Sequence, residues 1–205
     1  MFCFIYFCIY YVLFVTFFIL VYLVCLGFFS FSFSLSIIFF VLTFSCDSKT
    51  KACWFVSNLA SIAGDDASVE CLASAHLFGP LVELLTFGEF DIKQECAWAL
   101  RNCVVNGNER HRNELLALNF LSPFCTLLAA DDQALVAVAL DGITSLLEHA
   151  TEPADMALAI EEVGGVEHLE RLLTTKNDAI YNRASALLEQ YFIHEDDEDE
   201  DEDES

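Results

Sequence analysis

Internal repetition is the feature of this 205-residue chain that most limits the folds it can adopt. Three segments share one pattern of apolar residues, and each closes on a pair of leucines: 78–85, 121–128 and 166–173. The leucine pairs lie 43 and 45 residues apart, and a short polar break follows each of them. A period in the forties with two or three helices per unit is typical of repeats that stack into a solenoid.

Each polar break is followed by a longer stretch with the periodicity of an amphipathic helix. In one stretch, Leu135, Val138, Ala139, Gly142 and Leu146 recur at the spacing that places them on one helix face. Strand signals are weak, so the sequence predicts an all-α, right-handed superhelical solenoid with a continuous core and an extended concave face. The predicted units are a partial repeat at 47–64 (its third helix only), full repeats at 67–107 and 109–150, and a terminal unit at 152–193.

Charge is distributed unevenly along the chain. Residues 1–46 contain no Lys, Arg, His, Asp or Glu, whereas residues 195–204 are ten consecutive acids. The chain has a net charge of −23, and the ten acids account for −10 of it, so the repeats between the two ends are acidic as well. An acidic surface repels phosphates and disfavours a nucleic-acid partner. The acids favour a basic partner, or they serve only to keep the chain soluble. Adjacent like charges repel each other and bury nothing, so we expect an acidic disordered tail at 194–205.

Two interpretations of the apolar segment 1–46 are open. An uncharged run of this length exceeds the roughly 20 residues that span a bilayer, as a transmembrane anchor requires. It has neither the basic start nor the small-residue cleavage site of a secretory signal. Alternatively, its residues are almost all of types encoded by uridine-rich codons, which indicates a translated non-coding tract. We favour the second interpretation because the segment ends inside a repeat rather than at a repeat boundary.

The sequence motifs indicate no catalysis, metal or cofactor. The nine cysteines form no Cys-x-x-Cys pair, and those beyond residue 46 occupy apolar helical positions, which fits a reducing compartment. The five histidines are scattered, and none pairs with another at metal-ligand spacing on a helix. A glycine-rich phosphate loop is also missing from the sequence. We therefore expect a binding protein rather than an enzyme.

Two of the predicted third helices contain the motif Trp-x-x-x-Asn. Its residues are Trp54 with Asn58 and, 44 positions later, Trp98 with Asn102. This arrangement resembles the armadillo array of the importin alpha family. Further landmarks of that family follow in its order: Phe90-Asp91-Ile92-Lys93-Gln94-Glu95, Val138-Ala139-Leu140-Asp141-Gly142, and Gln190-Tyr191-Phe192 before the acidic tail. The resemblance covers residues 49 to about 204.

The resemblance implies that the chain is a nuclear-import adaptor fragment. Trp54 and Asn58 match a pair of the family's minor site for nuclear localisation signals, and Trp98 and Asn102 match the next pair, at the edge of the groove. An indole attracts a Lys or Arg cation by about 0.5–2 kcal/mol, and an Asn amide can pair with the backbone of an extended peptide. Without the resemblance, tryptophan at helical spacing is more often a core residue.

Two departures from the family pattern oppose tight binding of a basic peptide. Lys51 stands three residues before Trp54, where the family often has an acid. Arg101 replaces a small polar residue beside Asn102 and adds a second cation near the groove.

The resemblance also implies partners and a location. In that family the last repeat and the acidic region after it meet the export receptor that returns the adaptor to the cytoplasm, so we expect shuttling between cytoplasm and nucleus. Importin beta is an expected partner only if a further N-terminal segment exists. The alternative hypothesis is a membrane-anchored armadillo scaffold for protein–protein interaction, which requires residues 1–46 to be a real anchor.

Overall fold

The structure, a computed structural model, describes residues 46–62 and 66–192. These residues fold into ten α-helices and one 3₁₀ helix, with no strand among them. The helices are α1 (Cys46–Ala60), α2 (Ala67–Ser74), α3 (Phe78–Phe87), α4 (Phe90–Asn106), α5 (Glu109–Ala117), α6 (Leu121–Cys125), α7 (Gln133–Glu148), α8 (Pro153–Glu162), α9 (Gly165–Leu172) and α10 (Asp178–Tyr191), and the 3₁₀ helix Thr126–Ala129 continues α6. The apolar segment and the acidic tail, about which the sequence made separate predictions, lie outside the described residues, apart from Cys46.

The helices repeat in groups of three, and the third helix of each group packs on the third helix of the next. Helix α1 packs on α4, α4 on α7, and α7 on α10, while the shorter first and second helices pack beside this layer. The core is continuous from Ala52 to Leu188, as expected for stacked units that bury their faces against their neighbours. The predicted all-α repeat solenoid is therefore present in the described residues.

Local sequence signals explain where the third helices begin. The side chain of Asp132 accepts a hydrogen bond from the Ala134 amide at 2.7 Å and so caps the start of α7. Asn177 caps α10 in the same way, through the amides of Ala179 and Ile180. These polar residues lie in the breaks that follow the leucine pairs, so each break both ends a second helix and starts a third helix.

A search of the described helices for membrane-spanning character finds no single helix that is both long enough and apolar enough. Only α2 and α3 taken together pass by length and composition, and they meet at an angle of 81°.

Candidate peptide-binding surface

The exposed side chains of α1, α4, α7 and α10 form one surface, here named the third-helix surface. Trp54 on α1 and Trp98 on α4 both lie on it, with 50% and 37% of their surfaces exposed. Their neighbours Cys53 and Ala97 are fully buried, so each helix directs its apolar face inward and its indole outward. Adjacent third helices thus present two aromatic faces to solvent, which is the geometry needed to contact the aliphatic stems of basic side chains.

Asn58 is exposed on the same face of α1. Its side-chain amide donates to the Trp54 carbonyl at 2.7 Å, one turn earlier on the same helix. Its side-chain oxygen has no partner among the described residues, so that oxygen is free to accept a hydrogen bond from a peptide N–H.

Asn102 lies in a different environment. Only 6% of its surface is exposed, and its amide donates to the Ser57 carbonyl on α1 at 3.0 Å. Its side-chain oxygen accepts from Nη1 of Arg101, also at 3.0 Å. Sequence spacing placed both asparagines on the groove, whereas the structure uses Asn102 to join α4 to α1. Its amide also donates to Oγ of Ser57 at 3.4 Å, so its predicted contact with a peptide would compete with these internal hydrogen bonds.

Arg101 is an ion-paired residue in the structure. Its Nη2 donates to Oδ2 of Asp141 on α7 at 3.0 Å, and the other carboxylate oxygen of Asp141 accepts from Arg183 on α10. The three side chains form a row across three successive third helices, here named the Arg–Asp–Arg row. Sequence reasoning identified Arg101 as a cation near the groove but missed Asp141 and Arg183. The repeat offsets of 43 and 45 residues give no signal for these pairs, because the three residues lie 40 and 42 positions apart, about one helical turn from equivalent positions.

The Trp–Asn ladder ends at α4. The repeat offset of 43 residues places Asp141 and Ser145 of α7 where α4 has Trp98 and Asn102. Asp141 has no aromatic ring, and Ser145 is buried. Helix α10, a further 45 residues on, has Ala186 and Gln190 at these positions. Neither α7 nor α10 therefore repeats the Trp–Asn pair.

Charges flank the two tryptophans differently. Lys51, three residues before Trp54, is exposed, whereas Glu95, three residues before Trp98, is half-buried. Burial raises the pKa of the Glu95 carboxyl above its ordinary value. A cation bound beside Glu95 would offset this desolvation, so the surroundings of Trp98 also suit a basic side chain.

The buried cysteines are poorly suited to nucleophilic chemistry. The sulfur atoms of Cys53 and Cys96 lie 3.3 Å apart as free thiols, and their hydrogen bond together with burial raises the pKa of Cys96. Burial raises the pKa values of Cys103 and Cys125 to about 12. These three thiols are thus protonated at neutral pH. The described part of the chain also contains no cluster of His, Cys, Asp or Glu that could hold a metal ion.

Comparison with known proteins identifies the class of repeat. The family model described as "Armadillo/beta-catenin-like repeat" matches residues 65–105, and the one described as "Atypical Arm repeat" matches residues 154–205. A computationally designed armadillo repeat protein for modular peptide recognition superposes with a TM-score of 0.69 at 25% identity, over 77% of this chain and 64% of that one. A second designed armadillo repeat protein, in complex with the peptide (KR)4, gives 0.67 at 28% identity, over 76% and 63%. The chain is an armadillo-repeat protein, which confirms the predicted fold class.

Curated relatives narrow the class further. Importin subunit alpha-4 of Arabidopsis thaliana is 34% identical over 159 residues, which are 73% of this chain and 29% of that protein. Importin subunit alpha-1b of Oryza sativa subsp. japonica is 34% identical over 158 residues, with the same coverage. Importin subunit alpha-1 of Caenorhabditis elegans is 25% identical over 152 residues, 71% of this chain and 29% of that protein. The repeats of this chain are similar in sequence to those of importin alpha subunits, as the resemblance predicted, and the chain spans under a third of the length of these relatives.

Proposed function

We propose that the chain is a non-enzymatic nuclear-import adaptor fragment whose third-helix surface binds nuclear localisation signal peptides. The observation that carries this proposal is the exposure of Trp54 and Trp98 on adjacent third helices of importin-alpha-like repeats. Exposed indoles on a packed helix layer are costly to leave in water, and they suit the stems and cations of Lys and Arg. The designed armadillo protein that binds (KR)4 supports a basic peptide as the ligand class.

Binding is expected to be weak. Trp54 and Asn58 form a complete pair, whereas the Asn102 amide is engaged within the protein and Lys51 repels a basic ligand. Affinity in such arrays comes from several pairs that engage one peptide, so a short ladder forfeits avidity. We therefore propose Trp54, Asn58 and Trp98 as the main contacts, with Asn102 contributing only if its internal hydrogen bonds open.

Isothermal titration of a bipartite basic peptide into the full chain, at low and at physiological salt, tests the proposal. We expect weak, salt-sensitive binding that Trp54→Ala abolishes. Phe87→Ala is the matched control, since Phe87 is 82% exposed at the end of α3 and lies off the third-helix surface. The acidic run 195–204 is unchanged in both variants, so any attraction of the peptide to it is the same in the two titrations. Equal affinity of the Trp54→Ala variant and the native chain would refute the proposal.

The C-terminal end of the chain is a candidate contact for a recycling receptor. The acidic run 195–204 follows the last predicted helix in the sequence, and we propose that it and the terminal repeat contact the export receptor of importin alpha. Such a role requires shuttling between cytoplasm and nucleus. Importin beta enters as a partner only through a further N-terminal segment.

Electrostatic contacts act mainly on association rate and weaken with salt. Deletion of residues 195–205 from an adaptor rebuilt to full length should therefore slow association with the export receptor more than it speeds dissociation. Surface plasmon resonance at two ionic strengths measures both rates. An association rate that keeps its value and its salt dependence would reduce the acidic run to a solubility device.

A further inference from the structure

The Arg–Asp–Arg row lies on the same surface as the aromatic ladder. Arg101 is three residues after Trp98, so both side chains project from one face of α4. The side chains of Arg101, Asp141 and Arg183 keep 27%, 32% and 39% of their surfaces exposed, so the row remains open to solvent.

Hydrogen-bond donors exceed acceptors in this row. Each guanidinium carries five N–H donors, while Asp141 supplies the only carboxylate that pairs with either arginine among the described residues. Arg101 uses Nη1 and Nη2, and its buried Nε has no acceptor. Arg183 uses Nη2 alone, so its remaining donors have no partner in the described chain. Two cations share one anion, which leaves a local charge of +1 and a guanidinium fork able to bind a second carboxylate.

The position of the row defines what a bound peptide would meet there. A peptide that lies on Trp54 and Trp98 and continues past α4 leaves the aromatic ladder, because the residue of α7 that matches Trp98, 43 positions later, is Asp141. It next reaches Asp141 and Arg183. Packed helices lie about 8–10 Å apart, and an extended peptide advances about 3.3–3.6 Å per residue, so each third helix corresponds to about three residues.

We propose that Arg101 and Arg183 form a subsite for a carboxylate of the bound peptide, about three to six residues from the basic side chain held at Trp98. This inference rests on the proposed function, because it assigns a ligand to the next part of the same surface. The preferred ligand is thus a basic segment flanked on one side by an acidic residue. The row excludes a further Lys or Arg at that point, since a third cation would meet a net positive charge.

The competing explanation is that the row only joins three helices. The two explanations differ in their dependence on ligand. A purely structural row gives equal affinity for peptides that differ only in one acidic residue, whereas a subsite gives a difference that disappears when Arg183 loses its charge.

Fluorescence anisotropy with the full chain and three labelled peptides separates these outcomes. One peptide holds a basic segment with neutral flanks, and the other two add a single Glu four residues before or after that segment. We expect one of the two Glu peptides to bind about three- to tenfold more tightly than the neutral peptide at low salt, with a smaller gain at physiological salt. Arg183→Gln should remove this gain and leave the affinity for the neutral peptide unchanged or slightly raised. Arg171→Gln, on the second helix α9 and exposed, should retain the gain.

The outcomes also separate this inference from the proposed function. If neither Glu peptide gains affinity, or if the gain survives Arg183→Gln, the subsite is wrong while binding at Trp54 can still stand. If the neutral peptide fails to bind and a Glu peptide binds through Arg183, the aromatic ladder is wrong and the subsite stands. If no peptide binds, both are wrong.

Discussion

At the scale of single residues, the packing of α7 depends on one glycine. Gly142 lies in the middle of α7, where its backbone lies directly against the ring of Phe124. An added Cβ would stand 2.5 Å from Cε1 and 2.7 Å from Cζ of that ring, which is closer than carbon atoms can approach. The missing side chain is therefore a packing requirement of this repeat.

We predict that Gly142→Ala destabilises the chain by about 1–3 kcal/mol, the usual range for overpacking a filled core. The ordinary gain from placing alanine in a helix is about 1 kcal/mol and does not compensate. Gly79→Ala is the matched control, because nothing lies within 4 Å of a Cβ at that helical position. Urea denaturation followed by circular dichroism compares the two variants. Equal stabilities would mean that Phe124 moves aside without cost.

The sequence predicted the candidate site better in its backbone placement than in its side-chain pairing. The spacing of Trp54 and Trp98 places them on equivalent faces of two third helices, and the structure exposes both rings there. Their role in binding remains a prediction. Arg101 and Asn102 could not be placed in the same way, because their partners come from neighbouring repeats 40 and 45 residues away in the chain. Helical periodicity fixes the face of a residue but not the axial register between helices, and register decides which pairs meet.

At the scale of helices, the first helices of adjacent repeats are joined by an ion-pair cluster. Glu70 on α2 accepts hydrogen bonds from His111 at 2.9 Å, from Arg110 and from Ser74. These bonds, with that of His111 first, hold the pKa of Glu70 at about 2, below its ordinary value of 4.5. The Glu70 carboxyl binds a proton less readily in the folded state than in the unfolded state. Its contribution to stability is therefore present above about pH 4.5 and is lost as the pH falls toward 2.

We predict that the urea concentration at the unfolding midpoint decreases when the pH is lowered from 5 to 2.5. This decrease should be smaller in the Glu70→Gln variant than in the native chain. Glu83→Gln is the control, since Glu83 is exposed and forms no salt bridge among the described residues. The measurement is the unfolding midpoint of the three chains at several pH values in that window. A Glu70→Gln variant with the native pH dependence would show that solvent screens the cluster at this exposed position.

Side-chain amides join the third helices α1 and α4 directly. Asn106 donates to the Ala60 carbonyl at 2.8 Å, and Asn102 donates to Ser57 one turn earlier. The acceptors are carbonyls in the last turn of α1 and just before it, where the final carbonyls lack partners within the helix. Asn106 therefore completes the hydrogen bonding of α1 at Ala60 from the next repeat, while Asn102 adds a second donor to the Ser57 carbonyl, which already accepts from the Ser61 amide at 3.0 Å.

We predict that Asn106→Ala increases the amide hydrogen exchange of α1 and leaves that of α7 unchanged. The lost bond is half-buried, so the expected cost is about 1 kcal/mol, or about a fivefold faster exchange. Asn113→Ala is the control, because Asn113 is an exposed asparagine on α5 without a partner among the described residues. Hydrogen exchange with mass spectrometry on peptides from α1 and α7 reads both helices in one experiment. Unchanged exchange in α1 would assign its stability to apolar packing alone.

At the scale of the whole molecule, the repeat period was enough to predict the fold. A repeat that recurs every 43 to 45 residues and has third-helix periodicity allows few architectures other than stacked helices. Breaks within a helix could not be predicted from the repeat period. The second helix of one repeat is split into α6 and the 3₁₀ helix Thr126–Ala129, and the Thr126 hydroxyl donates a hydrogen bond to the Pro123 carbonyl at 2.7 Å. Such side-chain competition for backbone groups leaves the apolar pattern unchanged, so periodicity does not reveal it.

The repeats differ in how many neighbours each packs against, and this sets the order in which they unfold. In a solenoid each unit is stabilised mainly by its neighbours, so a unit packed on both sides opens at a higher free energy than one packed on a single side. Among the described helices, α7 has ten buried residues between α4 and α10, whereas α10 has four. We predict that amides of α10 exchange through openings of lower free energy than those of α7 and α4. Native-state hydrogen exchange at rising urea concentration measures these free energies.

The substitution Leu187→Ala on α10 should then lower protection in α10 far more than in α4, whereas Leu140→Ala on α7 should lower protection in all the third helices. Equal protection in all third helices would mean that the chain unfolds as one cooperative unit.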